Sequence, residues 1–90
     1  MQRVIWKFPL KVKDGLQVLV VNGVDVKPLC VQMQNGVPTV WVELTPVDGG
    51  PSLELHAMVV GTGHKFDPLG RYLGTVQDTE YPLVWHIYIS

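Results

Sequence analysis

Leu29-Cys30-Val31-Gln32-Met33-Gln34-Asn35-Gly36-Val37-Pro38-Thr39-Val40-Trp41-Val42 decides how this chain folds. A two-residue hairpin loop of type I′ needs φ > 0 at both central positions, and Asn followed by Gly tolerates that best. A turn at Asn35-Gly36 pairs Gln34 with Val37, Met33 with Pro38, Gln32 with Thr39, Val31 with Val40, Cys30 with Trp41 and Leu29 with Val42. Directly opposed residues share a face, so Leu29, Val31, Met33, Val40 and Val42 form an apolar side. Cys30, Gln32, Gln34, Thr39 and Trp41 form the other. A one-residue slip would exchange the two sets. Pro38 fits as well, because in a non-hydrogen-bonded pair its missing N–H points away from the partner strand.

Outward from this hairpin, period two recurs, and no window holds a helical apolar pattern for three turns without Gly or Pro. Val4, Trp6 and Phe8 alternate with Ile5 and Lys7 until Pro9. Leu16 to Val21 is apolar on both sides except for Gln17, which predicts a central strand, and Asn22-Gly23 supplies a turn. After the loop 45–51, Leu53, Leu55, Ala57 and Val59 point inward, with Glu54, His56 and Met58 outward. Arg71 to Gln77 is a shorter strand, and the last run puts Leu83, Trp85, Ile87 and Ile89 on one side. About seven short strands with turn signals between them predict an all-β fold, an antiparallel small sandwich or open barrel.

The 90 residues leave room for a single β domain over 1–90. An apolar fraction of 47% excludes a disordered tail. Seven Lys plus Arg against eight Asp plus Glu argue against a partner that is a nucleic-acid polymer or an anionic membrane. No apolar run approaches the roughly 20 residues that cross a bilayer, and the start lacks a signal-peptide core. A cytoplasmic location is the expectation. The single cysteine, Cys30, cannot form an intrachain disulfide.

Chemistry has few carriers here. Cys30 reads as a packed thiol in mid-strand. Ser52 and Ser90 occupy no strained elbow, so a Ser-His-Asp hydrolase is not expected. His56, His64 and His86 lack ligand spacing and paired carboxylates are missing, so no metal, cofactor or catalytic residue is expected. His56 and His86 would meet if their strands paired. The remaining feature is the connection from Gly61 to Arg71. Gly61-Thr62-Gly63 lets successive backbone amides converge into an anion-binding nest. His64, Lys65 and Arg71 add cationic and ring-nitrogen groups, while Tyr72 and Phe66 offer surfaces for a base. The Gly-x-Gly precedes no helix, so a dinucleotide-binding βαβ unit is excluded. A merely solvated Gly-rich loop is the competing interpretation.

Trp6 and Trp85 fit inward faces, whereas Trp41 shares its side with Gln32, Gln34 and Thr39. An outward Trp marks an oligomer interface or ligand platform, and a chain this small gains from completing its burial by self-association. A homo-oligomer, with a dimer favoured, is expected.

Gln34-Asn35-Gly36-Val37-Pro38-Thr39-Val40-Trp41, Gly61-Thr62-Gly63-His64 and Tyr72-Leu73-Gly74-Thr75 resemble the motifs Q-N-G-V-P-x-x-W, G-T-G-H and Y-L-G-T of a family of small bacteriophage and prophage proteins. Ile5-Trp6-Lys7-Phe8-Pro9-Leu10 is similar to the start of that family, and Val18 to Lys27 departs from its pattern. The resemblance implies a phage-encoded protein of a family whose function is unknown. The expected function is a non-enzymatic accessory protein that sequesters a small nucleotide immune signal, of cyclic ADP-ribose or cyclic oligonucleotide type, against antiphage defence. Its ligand-binding residues would be Gly61, Thr62, Gly63, His64, Lys65, Arg71, Tyr72 and Trp41. The alternative is direct inhibition or modulation of a host or phage protein, or a minor virion or structural role.

Overall fold

The computed structural model describes residues 2–50 and 52–90. Seven strands follow in order: β1 (Val4–Pro9), β2 (Gly15–Val21), β3 (Gly23–Gln34), β4 (Val37–Pro46), β5 (Leu53–Gly61), β6 (Arg71–Gln77) and β7 (Val84–Ile89). They form two antiparallel sheets, one in the order β1-β4-β3 and one in the order β2-β5-β7-β6. The fold is all-β.

The hairpin turn is where Asn35-Gly36 places it, with φ of 52° and 75°. Gln34 pairs with Val37, Met33 with Pro38, Gln32 with Thr39, Val31 with Val40 and Cys30 with Trp41. Beyond Cys30 the register shifts, so Val42 faces Pro28 and Leu29 is left over as a bulged residue, 37% exposed. A proline cannot donate to the ladder, and a bulge beside it accommodates that loss. Thr39 differs in another way: it lies on the outer face yet is buried between Pro9 and Gln32, its Oγ1 donating to Val37 O at 3.1 Å.

Val31, Val40, Val42 and Leu44 of one sheet join Leu19, Val21, Leu55, Ala57, Val59, Val76, Trp85, Ile87 and Ile89 of the other in a single core. Each deeply buried aliphatic side chain contributes about 1.5–3 kcal/mol, so this layer is what holds the sheets together. The sheets also touch along β3 and β6, where Arg71 Nη2 donates to Pro28 O at 2.9 Å. Leu53 and Leu83, expected inward, sit at or before strand ends and are exposed. Trp6 is 37% exposed; with Asn22, Pro46, Val47 and Asp48 it lines an open pocket instead of entering the core.

The expected central position of Leu16 to Val21 is corrected. β2 is an edge strand, paired only with β5, and its Leu16, Val18 and Val20 are each more than half exposed. Nor do β2 and β3 form a hairpin: at Asn22 the chain crosses from one sheet to the other. Gly23 is buried there so closely against the Thr45 carbonyl that a Cβ would lie 2.7 Å from its oxygen.

Gly36 has open space around it, so only backbone strain opposes a side chain there. Gly36→Val is expected to lower stability by about 1–2 kcal/mol, read as an earlier urea midpoint with unchanged slope. An unchanged midpoint would contradict the turn assignment.

Candidate functional site

The site begins where β5 ends. Antiparallel register sets Gly15 opposite Val59, so Asp14, just before β2, arrives beside the end of β5. Its Oδ1 accepts the Gly61 N–H at 2.7 Å, and its Oδ2 lies 2.7 Å from His64 Nδ1. The His64 N–H donates to Gly61 O at 3.2 Å, folding the turn back on itself. A Cβ on Gly61 would meet the His64 ring at 3.0 Å and the Trp85 ring at 3.4 Å, so a residue without one is required at that close approach. Gly63, at φ of 90°, completes the turn in a backbone region that side chains resist.

A second set of bonds holds the other side of the turn. The Thr62 N–H donates to Val84 O at 3.3 Å, and Thr62 Oγ1 lies 2.8 Å from His86 Nε2. Pairing of β6 with β7 sets Thr75 opposite His86, with Oγ1 3.0 Å from Nδ1, and Thr75 in turn meets the Tyr72 hydroxyl. The result is a continuous chain Thr62–His86–Thr75–Tyr72 across the exposed face. In a neutral imidazole one ring nitrogen donates and the other accepts, and both threonine hydroxyls can supply the complementary role.

His86 thus stands within hydrogen-bond reach of two threonine hydroxyls. The bonds to His86 come from neutral threonines and not from the carboxylate that orients the base of a hydrolase triad. His86 lies opposite Val60, whereas His56 exchanges backbone bonds with Ser90, so the two histidines occupy different positions along the β5–β7 pair. No cluster of three or more metal-ligating side chains occurs among the described residues.

Beside the pinned turn lies an open cavity of about 370 Å³. It is lined by Asp14 and Gly15 at the start of β2, by Met58, Val59 and Val60 of β5, and by His64, Lys65 and Phe66 beyond it. Val60 is buried although its register places it on the outer face. The Phe66 ring is 40% exposed and packs against Tyr88 with centroids 5.3 Å apart. Tyr72 also packs against Tyr88, edge to face, with centroids 5.7 Å apart.

The residues expected to hold a ligand therefore divide into three groups. Gly61, Thr62, Gly63, His64 and Lys65 come together, but the amides of Gly61, Thr62 and His64 already donate within the chain. Tyr72 joins them indirectly, by hydrogen bonds through Thr75 and His86 and by ring packing through Tyr88 and Phe66. Arg71 turns to the Pro28 carbonyl on the other sheet, and Trp41, half-buried between Lys7 and Cys30, lies on that other sheet as well. Sequence reasoning missed Asp14, Met58, Thr75 and the role of His86. Only the strand register reveals them, since Asp14 and Gly61 are 47 residues apart.

Fold and site together define a small two-sheet β protein with a pinned turn beside an open pocket. The chain belongs to the family described as Domain of unknown function (DUF7352), which matches residues 1–90. No curated protein and no solved structure matches it.

Asp14→Ala leaves the buried Gly61 amide without its partner and is expected to cost about 1–2 kcal/mol, with faster hydrogen exchange at Gly61. Asp14→Asn keeps an acceptor oxygen and should lose less. Equal urea midpoints for Asp14→Ala and the parent chain would contradict the pin.

Proposed function

We propose that this chain is a non-catalytic accessory protein that binds and sequesters a small, phosphate-bearing nucleotide of cyclic ADP-ribose or cyclic dinucleotide type. The observation that carries this reading is the pocket beside the Gly61–His64 turn. Its volume of about 370 Å³ falls in the range of small-molecule sites. An apolar lining of Met58 and Val60 and an exposed aromatic ring at Phe66 suit a base, and Lys65 in the same lining suits a phosphate. The phosphate contact falls to Lys65 because three turn amides are already engaged and Arg71 is held at Pro28. The resemblance to phage and prophage proteins supports an anti-defence role and a site of action in the cytoplasm of an infected cell.

A second reading is contact with a host or phage protein. Tyr81 and Leu83, 61% and 43% exposed in the link between β6 and β7, favour it. Large apolar groups exposed next to each other are a usual feature of contact surfaces.

Calorimetry with cyclic ADP-ribose isomers and cyclic dinucleotides tests the first reading. Lys65→Ala and Phe66→Ala should each weaken binding by about tenfold to a hundredfold, the range of one charge-assisted or stacking contact. Arg71→Ala should leave binding within about twofold. No heat with any of these nucleotides, or a loss confined to Arg71→Ala, would overturn the pocket assignment.

A further inference from the structure

The two sheets present four edge strands, β1, β3, β2 and β6. Unpaired edges invite pairing with another chain, and proteins block them with charges, prolines and bulges. β1 carries Lys7 and Pro9. β3 carries Asp25, Lys27 and Pro28 together with two register irregularities. β6 carries Arg71 and an irregularity at Leu73. β2, reading Gly-Leu-Gln-Val-Leu-Val-Val, has none of these devices, and its ladder with β5 runs without a shift from Gly15 to Val21. Among the described residues, no backbone hydrogen bond outside that ladder involves β2.

Its outward side chains add to the case. Leu16, Val18 and Val20 are 51%, 51% and 56% exposed, a run of apolar surface along one open edge. We infer that β2 is the docking edge for a second copy of this chain, the two strands pairing antiparallel about Val18 to join both β2-β5-β7-β6 sheets into one.

Charge selects this occupant. A two-fold contact sets a strand against itself, so any charge near its centre meets its own like. Lys7 and Lys27 would bring like charges close together on β1 and β3, and the irregularity at Leu73 breaks the β6 edge, whereas β2 itself carries no charge, Lys11 and Lys13 lying in the segment before it. Pairing about Val18 opposes Val18 to Val18 of the second copy, Leu16 to Val20, and Gln17 to Leu19. The three outward side chains of each copy then form one apolar stripe of six.

Size sets the strength. A standard interface takes about 800 Å² per partner, roughly one seventh of the 5700 Å² that this chain exposes. A seven-residue edge is about 23 Å long and falls below that standard, which fits a dimer of roughly micromolar affinity. This inference is independent of the nucleotide reading, since none of the three outward side chains lines that pocket.

Sedimentation equilibrium from about 0.1 µM to 100 µM tests it, a range that brackets the expected affinity. The wild-type mass should rise from 10.1 kDa toward twice that value. Val18→Lys, at an exposed position where the monomer fold should survive, sets like charges across the axis and should weaken association by about tenfold or more. Leu16→Lys together with Val20→Glu in one chain sets opposite charges across the axis twice, and should associate more tightly than either single variant. Circular dichroism like that of the wild type checks that each variant folds. In concentrated wild type, the β2 amides that point away from β5 should exchange slowly. A wild-type monomer throughout the range, association unchanged by Val18→Lys, or fast exchange along β2 in the associated state would each overturn the inference.

Discussion

The pairing of β3 with β4 through a two-residue turn is the constraint on which the rest of the molecule depends. It sets Val31, Val40, Val42 and Leu44 on one face, and only that face can cover the inner side of β5 and β7. With Leu55, Ala57 and Val59 held against it, β5 has no freedom to slide, because a one-residue slip would turn its buried set to water. The end of β5 therefore arrives at one place, with Gly61 between Asp14 and the Trp85 ring. The position of the pocket follows from core packing on the other face of the same sheet.

Asp14 determines what the Gly-rich turn can do. A free nest of amides attracts anions, but here a carboxylate takes the Gly61 N–H and lies against His64. Two negative charges about 5 Å apart oppose one another by roughly 3 kcal/mol at an effective dielectric constant of about 20. That is enough to cancel one or two ordinary charge-assisted hydrogen bonds. Under the proposed function, the phosphate contact therefore falls to Lys65, another residue lining the pocket. The same pin rigidifies the wall of the pocket, which reduces the ordering cost when a ligand enters.

The hairpin was legible in the sequence to the residue from Cys30 to Trp41, because turn type and alternating polarity specify register together. The span Arg71 to Gln77 was legible for the same reason of flanking turns and alternation. Other features depend on tertiary order. Leu16 to Val21 has the composition of a buried strand, and nothing local distinguishes a central strand from an edge that waits for a partner. The bulge at Leu29 answers to Pro28, but its exact register depends on how β4 continues toward Pro46. At the site, Gly61-Thr62-Gly63-His64 stood out as a Gly-rich connection, while its hydrogen-bond partners Asp14, Val84 and His86 come from distant segments. An amide's availability is a property of those contacts and not of the glycines that surround it.

The central claim is that the pinned turn forms one wall of a pocket and is not itself an anion nest. Backbone amide shifts of the ¹⁵N-labelled protein, followed while cyclic ADP-ribose is titrated in, test this most directly. The account predicts the largest changes at Met58, Lys65 and Phe66, with Arg71 unmoved. Changes centred on Gly61, Thr62, His64 and Arg71 would contradict it.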